Sequence, residues 1–139
     1  GSIGIEWLLA HEGNRAVGLE RDPVRLERAR RNASALGVPH FDLRHGADPR
    51  ALEDWPDPDA VFLGGGASDG FVARAWGALR PGGRLVINAM TLETEALIMR
   101  WRDSVGGTLL RVSVARAEPV GGRMGWRAAA PVLQWVAVK

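Results

Sequence analysis

The sequence contains no cysteine. Neither a disulfide framework nor a thiolate-ligated metal site can therefore form. Histidine is nearly as scarce. His11, His40 and His45 are scattered, with no His, Asp or Glu spacing that assembles a metal site, so no metal is expected. No apolar run approaches the ~20 residues that span a bilayer. No leader with a basic start and a cleavage site is visible. The expectations are no membrane partner and a cytoplasmic location. Lysine is almost absent too: Lys139 stands alone, which leaves 17 of the 18 basic residues as arginine. Two readings stay open, a coding bias in a GC-rich genome and recognition of an anionic partner by guanidinium forks. Asp and Glu total 16 and the net charge is only +2. With no basic run interleaved by aromatics, a nucleic-acid partner is not expected.

The 139 residues suit one domain, and 46% hydrophobic against 24% charged residues is the balance of a globular core with a polar surface. Strand and helix patterns alternate, which predicts a mostly parallel α/β sheet. Ser2 is placed to cap a helix through Ile3, Ile5, Trp7 and Leu8, and a short strand follows at Ala16–Leu19. Asp22-Pro23 is an N-cap followed by proline at the first helical position. That helix is expected to turn Val24, Leu26, Ala29, Ala33 and Leu36 inward and to stop at Gly37. Strands are predicted at Phe41–His45, Ala60–Leu63 and Arg84–Ala89, and helices at Asp48–Trp55, Asp69–Leu79 and from the Thr91 cap to Val105. The tail reads as two β-rich segments, Thr108–Ala115 and Val132–Val138, flanking a loop rich in glycine and arginine and closing the sheet edge like a hairpin.

Gly1-Ser2-Ile3-Gly4 opens directly onto a helix, where backbone N–H groups favour an anionic ligand group. A nucleotide-binding unit has a strand before such a loop, so the first strand is expected to lie upstream of residue 1. Glu20 ends the second strand about twenty residues on, where a carboxylate accepts both ribose hydroxyls, with Arg21 beside it. Gly46-Ala47-Asp48 is where an adenine edge would rest, though Asp48 serves equally as an N-cap. Gly64-Gly65-Gly66 leaves bare backbone at the carboxyl end of a buried strand. These features fit S-adenosylmethionine and NAD alike.

Several stretches resemble one family: Gly1 to Trp7, Phe62 to Gly66, Leu79-Arg80-Pro81-Gly82-Gly83-Arg84-Leu85-Val86, Asn88 to Glu95, Ala115 to Gly122, and Gly125-Trp126-Arg127. It is the family of decarboxylating precorrin methyltransferases of cobalamin biosynthesis, in many bacteria the C-terminal half of a two-domain enzyme methylating C5 and C15. The Pro-Gly-Gly turn is shared by many class I methyltransferases, whereas the Asn88–Glu95 and Ala115–Gly122 stretches are far more specific. Two departures stand out. The family's leading Asp-x-Gly-x-Gly is represented only by its last glycine, Gly1, and Gly46-Ala47-Asp48 replaces the usual Gly-Asp/Glu-Ala.

The resemblance implies a Rossmann-like class I fold with an antiparallel C-terminal strand. It also implies methylation of precorrin-6B at C15 with loss of the C12 acetate carboxyl as CO2. S-adenosylmethionine would be the donor and S-adenosylhomocysteine the product, bound by Gly1, Ser2, Glu20, Arg21, Ala47, Asp48, Gly64 and Gly65. A flat ring rimmed by carboxylates calls for arginines beside an apolar floor. Gly66, Arg116, Arg123 and Arg127, with Met124 and Trp126, offer that combination. Asn88, Thr91 and Glu93 follow the fifth strand and would face the reactive end. Thr91 also reads as a plain cap and Glu93 as a first-turn acid. The family implies a homo-oligomer, often a tetramer. The alternatives are another class I methyltransferase acting on a small molecule or RNA, an NAD-dependent oxidoreductase, and a non-catalytic assembly domain.

Overall fold

A computed structural model describes residues 1–48, 50 and 57–139, in two units, Gly1–Pro56 and Asp57–Lys139. The first unit runs α1 (Ser2–Ala10), β1 (Val17–Glu20), α2 (Pro23–Ala35) and β2 (Asp42–His45). The two strands pair in parallel from Val17↔Asp42 to Glu20↔His45. Ile5 and Leu8 of α1, Leu26, Ala29 and Ala33 of α2, and Val38, Phe41 and Leu43 make its core. Phe41 packs closest to backbone. A Cβ added at Gly4 would collide with its ring, and one at Gly18 would stand 3.0 Å from its Cζ. The last glycine of the opening loop thus serves helix packing, as close approach there demands.

The ends of α2 follow from its sequence. The Asp22 carboxylate accepts from the Val24 and Arg25 amides at 2.8 and 3.2 Å, with Pro23 at the first position. These N–H donors, Arg25's first, hold the Asp22 carboxyl below its ordinary pKa. At the other end Gly37, at φ +84°, donates to Ser34 O while Val38 donates to Ala33 O. That is a Schellman closure, whose left-handed residue favours glycine. Two expectations change. Gly1, not Ser2, is the N-cap of α1, and no side chain closes it. Val24 and Leu36 are exposed at 72% and 54%. Leu26, Ala29 and Ala33 define the inward stripe; Val24, two residues before Leu26, falls on the opposite side. Leu36 is already the cap residue turning away.

The second unit contains β3 (Ala60–Leu63), α3 (Asp69–Ala78), β4 (Arg84–Ala89), α4 (Leu92–Val105), β5 (Thr108–Val112), β6 (Ala115–Val120), β7 (Arg123–Ala128) and β8 (Val132–Val138). Its four-stranded sheet has the order β3-β4-β8-β5. β3 and β4 are parallel, and β8 is antiparallel to both its neighbours. One face packs Leu63, Leu85, Ile87, Leu133, Trp135 and Ala137 against Val72, Ala75 and Leu79 near α3 and Leu97 and Ile98 of α4. Trp135 is fully buried and its indole N–H donates to Gly106 O at 3.0 Å. The Lys139 ammonium donates to Gly77 O and Leu79 O, both at 2.7 Å, satisfying carbonyls at the end of α3.

The late segments pair as expected, but β8 lies inside the sheet and β5 forms its edge. The sheet is mixed, with a larger antiparallel share than the sequence suggested. The glycine- and arginine-rich loop is itself a hairpin, β6–β7, turning at Gly121-Gly122. Pro119 and Gly125 inside it, and residues exposed on both faces, hide the usual strand signal. The helix expected at Asp48–Trp55 lies mostly outside the described residues.

Gly4→Ala is expected to destabilise by about 1–3 kcal/mol through overpacking on Phe41, read by urea unfolding. Phe41→Leu should make the two changes non-additive. Trp135→Ala is expected to cost about 3–5 kcal/mol in the same measurement. Because Asp22's folded pKa lies below its unfolded value, near 3.8, its contribution is present above that value and fades as pH falls through the folded pKa. Asp22→Asn should flatten that acid limb of stability against pH.

Candidate functional site

In the first unit the carboxyl ends of β1 and β2 are tied together. Gly46 N–H donates to Glu20 O at 3.0 Å, and His45 Nε2 donates to Arg21 O at 2.9 Å. Glu20 itself is half-buried and its Oε1 accepts from the Asp22 amide at 3.0 Å. That bond fixes the carboxylate at the carboxyl end of β1. Arg21 is exposed beside it. Gly1 caps α1, whose first-turn amides, Ser2's included, have no partner within the helix. Ala47 is exposed. The Asp48 carboxylate is engaged by Arg50: Oδ1 accepts from its amide at 2.9 Å and Oδ2 from its guanidinium. This pairing raises the Arg50 pKa above its ordinary value.

In the second unit Gly64, Gly65 and Gly66 follow β3 and are exposed. A Cβ at Gly65 or Gly66 would meet nothing within 4 Å, whereas one at Gly64 would press on Phe62. Ser68 caps the next helix by accepting from Phe71 N–H at 3.3 Å. The adjacent Asp69 carboxylate is braced from α4, accepting from Arg100 at 2.9 Å and from the Trp101 indole at 3.1 Å. Sequence reasoning missed this brace, because its partners lie about thirty residues away.

Asn88 sits near the carboxyl end of β4, half-buried, and its Oδ1 accepts from Gln134 Nε2 at 3.0 Å. Thr91 is the N-cap of α4, its Oγ1 accepting from Thr94 N–H at 3.4 Å. Glu93 is an exposed first-turn acid. Its neighbour Glu95 instead accepts from Arg111 at 2.9 Å.

The hairpin corrects the expected substrate floor. Arg116 pairs across with Arg127, and Ala117 with Trp126. Alternation therefore puts Arg116, Glu118, Arg123 and Arg127 on one face, and Ala117, Met124 and Trp126 on the other. The pleat, invisible while the segment reads as a loop, separates the arginines from the aromatic. Arg127 also bridges to Glu118 at 2.7 Å. The apolar partner of Arg116 and Arg127 is a different one: an open groove of about 380 Å³ that they line with Glu118, Val112, Val114 and Val132. Among the described residues, no three His, Cys, Asp or Glu side chains come together as metal ligands would.

Helices alternating with parallel strands, an acid (Glu20) ending β1 and an antiparallel closing strand are those of a class I, Rossmann-like methyltransferase fold. The chain belongs to the precorrin methyltransferase domain family, whose sequence model matches residues 1–139. It is 48% identical over 136 residues to a precorrin-6Y C(5,15)-methyltransferase [decarboxylating] of Sinorhizobium sp., covering 97% of this chain and 33% of that protein. The chain thus spans about a third of the length of such relatives. A cobalt-precorrin-6B C(15)-methyltransferase (decarboxylating) of Salmonella typhimurium is 32% identical over 95 residues, 67% of this chain and 48% of that protein. The crystal structure of the C-terminal domain of the Rhodobacter capsulatus precorrin-6Y C5,15-methyltransferase superposes with a TM-score of 0.91 at 43% identity. It covers all of this chain and 75% of that one.

Trp126→Ala should leave stability within about 0.5 kcal/mol of the parent in thermal unfolding, since the ring is 79% exposed. A larger loss would mean that the ring packs against something absent from the isolated chain.

Proposed function

We propose that this domain methylates precorrin-6B at C15 and promotes loss of CO2 from the C12 acetate, in cobalamin biosynthesis. One observation carries the reading. The chain matches a third of a relative named for both C5 and C15, and about half of one named for C15 alone. Each relative contains a stretch similar to this chain, and C15 is the position common to both names.

S-adenosylmethionine, when bound, supplies an electrophilic methyl carbon on a sulfonium. The residues fit such a ligand. Glu20, oriented by the Asp22 amide, is suited to the ribose hydroxyls, with Gly1, Ser2, Arg21, Ala47 and Asp48 in the same unit as further contacts. In the second unit the open backbone at Gly65 and Gly66 leaves room for a bulky ligand beside Gly64. Asn88, Thr91 and Glu93 lie on or just after β4 as candidates for the reacting end. Arg116 and Arg127 face the groove and suit ring carboxylates, with Arg123 nearer the hairpin turn; Trp126 offers an aromatic surface on the opposite face. Methyl transfer to carbon needs donor and acceptor held in line, which positioning supplies. As CO2 departs, its bonding electron pair passes into the conjugated macrocycle, and the methylene left behind takes a proton from water to become methyl. The step therefore calls for no protein nucleophile and no metal. A homo-oligomer without nucleic-acid or membrane partners, working in the cytoplasm, belongs to the same proposal.

Full-length protein, precorrin-6B and methyl-labelled cofactor should give a product heavier by one methyl and lighter by CO2 in mass spectrometry. A methylated product keeping every carboxyl would overturn the reading. Glu20→Gln should weaken S-adenosylhomocysteine binding by about tenfold in calorimetry, the scale of a lost charge-assisted hydrogen bond.

A further inference from the structure

On β4 and β8 the face turned away from the core carries Val86 and Val136, a cross-strand pair, with Phe62 on β3 and Leu110 on β5. Into this apolar row is set one polar pair, Asn88↔Gln134, both half-buried. Gln134 is the chain's only glutamine. Replacing both members of such a pair with apolar residues of similar shape is close to neutral for stability. Stability therefore gives no reason for an amide pair here, at the carboxyl end of β4.

The placement of Gln134 is fixed by its neighbours. Leu133 and Trp135 on either side are 4% and 0% exposed, and a one-residue slip of β8 would turn both out of the core. The pair's polarity follows from one bond. Gln134 Nε2 donates to Asn88 Oδ1, so the Asn88 oxygen is committed to β8 and the two Nδ2 protons are left outside that bond.

We propose that Gln134 is a positioning residue, one that holds the Asn88 carboxamide as an outward hydrogen-bond donor. The ligand this suits is an anionic oxygen, and assigning it to a carboxylate of the tetrapyrrole rests on the function proposed above. Gln134 acts only through Asn88 and touches no reacting atom.

Gln134→Glu tests the polarity, because its sign depends on pH. The introduced side chain, when ionised, can only accept, so it draws in Asn88 Nδ2 and turns the oxygen outward. The same carboxyl, when protonated, donates to Oδ1 and restores the parent arrangement. The neighbours of position 134 on its face, Asn88, Val86, Thr108, Leu110 and Val112, do not titrate, so the switch belongs to the introduced carboxyl alone.

In the full-length protein, kcat/KM of Gln134→Glu relative to the parent should be about tenfold down near pH ~8, where the carboxyl is ionised. The deficit should shrink as pH falls toward ~5. Gln134→Leu should show a deficit that does not change with pH. A second readout needs no turnover. With 15N in the side-chain amides, the Asn88 Nδ2 protons should exchange freely with solvent in the parent and become protected in Gln134→Glu near pH ~8. A pH-independent ratio for Gln134→Glu, or protected Asn88 Nδ2 protons in the parent, would overturn the proposal. If the amide result holds while the parent neither binds S-adenosylhomocysteine nor methylates, the proposed function fails and the role of Gln134 stands.

Discussion

The second unit depends on the burial of Trp135. It is the largest fully buried side chain among the described residues, in the middle of β8, with its one polar atom satisfied by Gly106 O. Once that ring is inside, the register of β8 against β4 is no longer free, since any slip exposes the indole and strands its N–H. From the register follows the rest. Leu133 and Ala137 face the helices, Val136 lies opposite Val86, and Gln134 opposite Asn88. Burying an apolar ring thus places a polar pair at a strand end.

In the first unit the corresponding constraint is backbone proximity. Phe41 lies so near Gly4 that the position has no room for a side chain, and near enough to Gly18 that one there would be tight. It precedes β2, and the ends of β1 and β2 are then joined by the Gly46–Glu20 and His45–Arg21 bonds. Glu20 is consequently held by covalent neighbours and by cross-strand bonds at once. Its carboxylate is restrained separately, by the one bond that Oε1 accepts from the Asp22 amide.

Much of this was legible in the sequence because local rules and burial agreed. Asp22-Pro23, Gly37, the Ala60–Leu63 run and the Arg84–Ala89 strand each carry a signal within a few residues, and the structure places an element boundary at or beside each. Ser2 failed as a cap because Gly1 already occupies the cap position. The hairpin at 115–128 failed because strand recognition relies on alternating burial, and among its twelve strand residues only Glu118 and Gly125 are even partly buried. That one miss also misplaced Arg116, Arg123 and Arg127 relative to Trp126, since the faces of a strand have meaning only once the strand is seen. The Asp69 brace and the Asn88–Gln134 pair were beyond local reading altogether, as their partners are 31 to 46 residues apart.

The single lysine has a consequence for handling the protein. Its ammonium is already shared between two carbonyls closing α3. Acylating reagents, aldehyde cross-linkers and enzymes that tag lysine find one side-chain amine in these 139 residues, and capturing it would uncap a helix. Dicarbonyl reagents, which seek guanidinium groups, find seventeen targets. Arginine-directed labelling is the chemistry that can footprint the groove lined by Arg116 and Arg127.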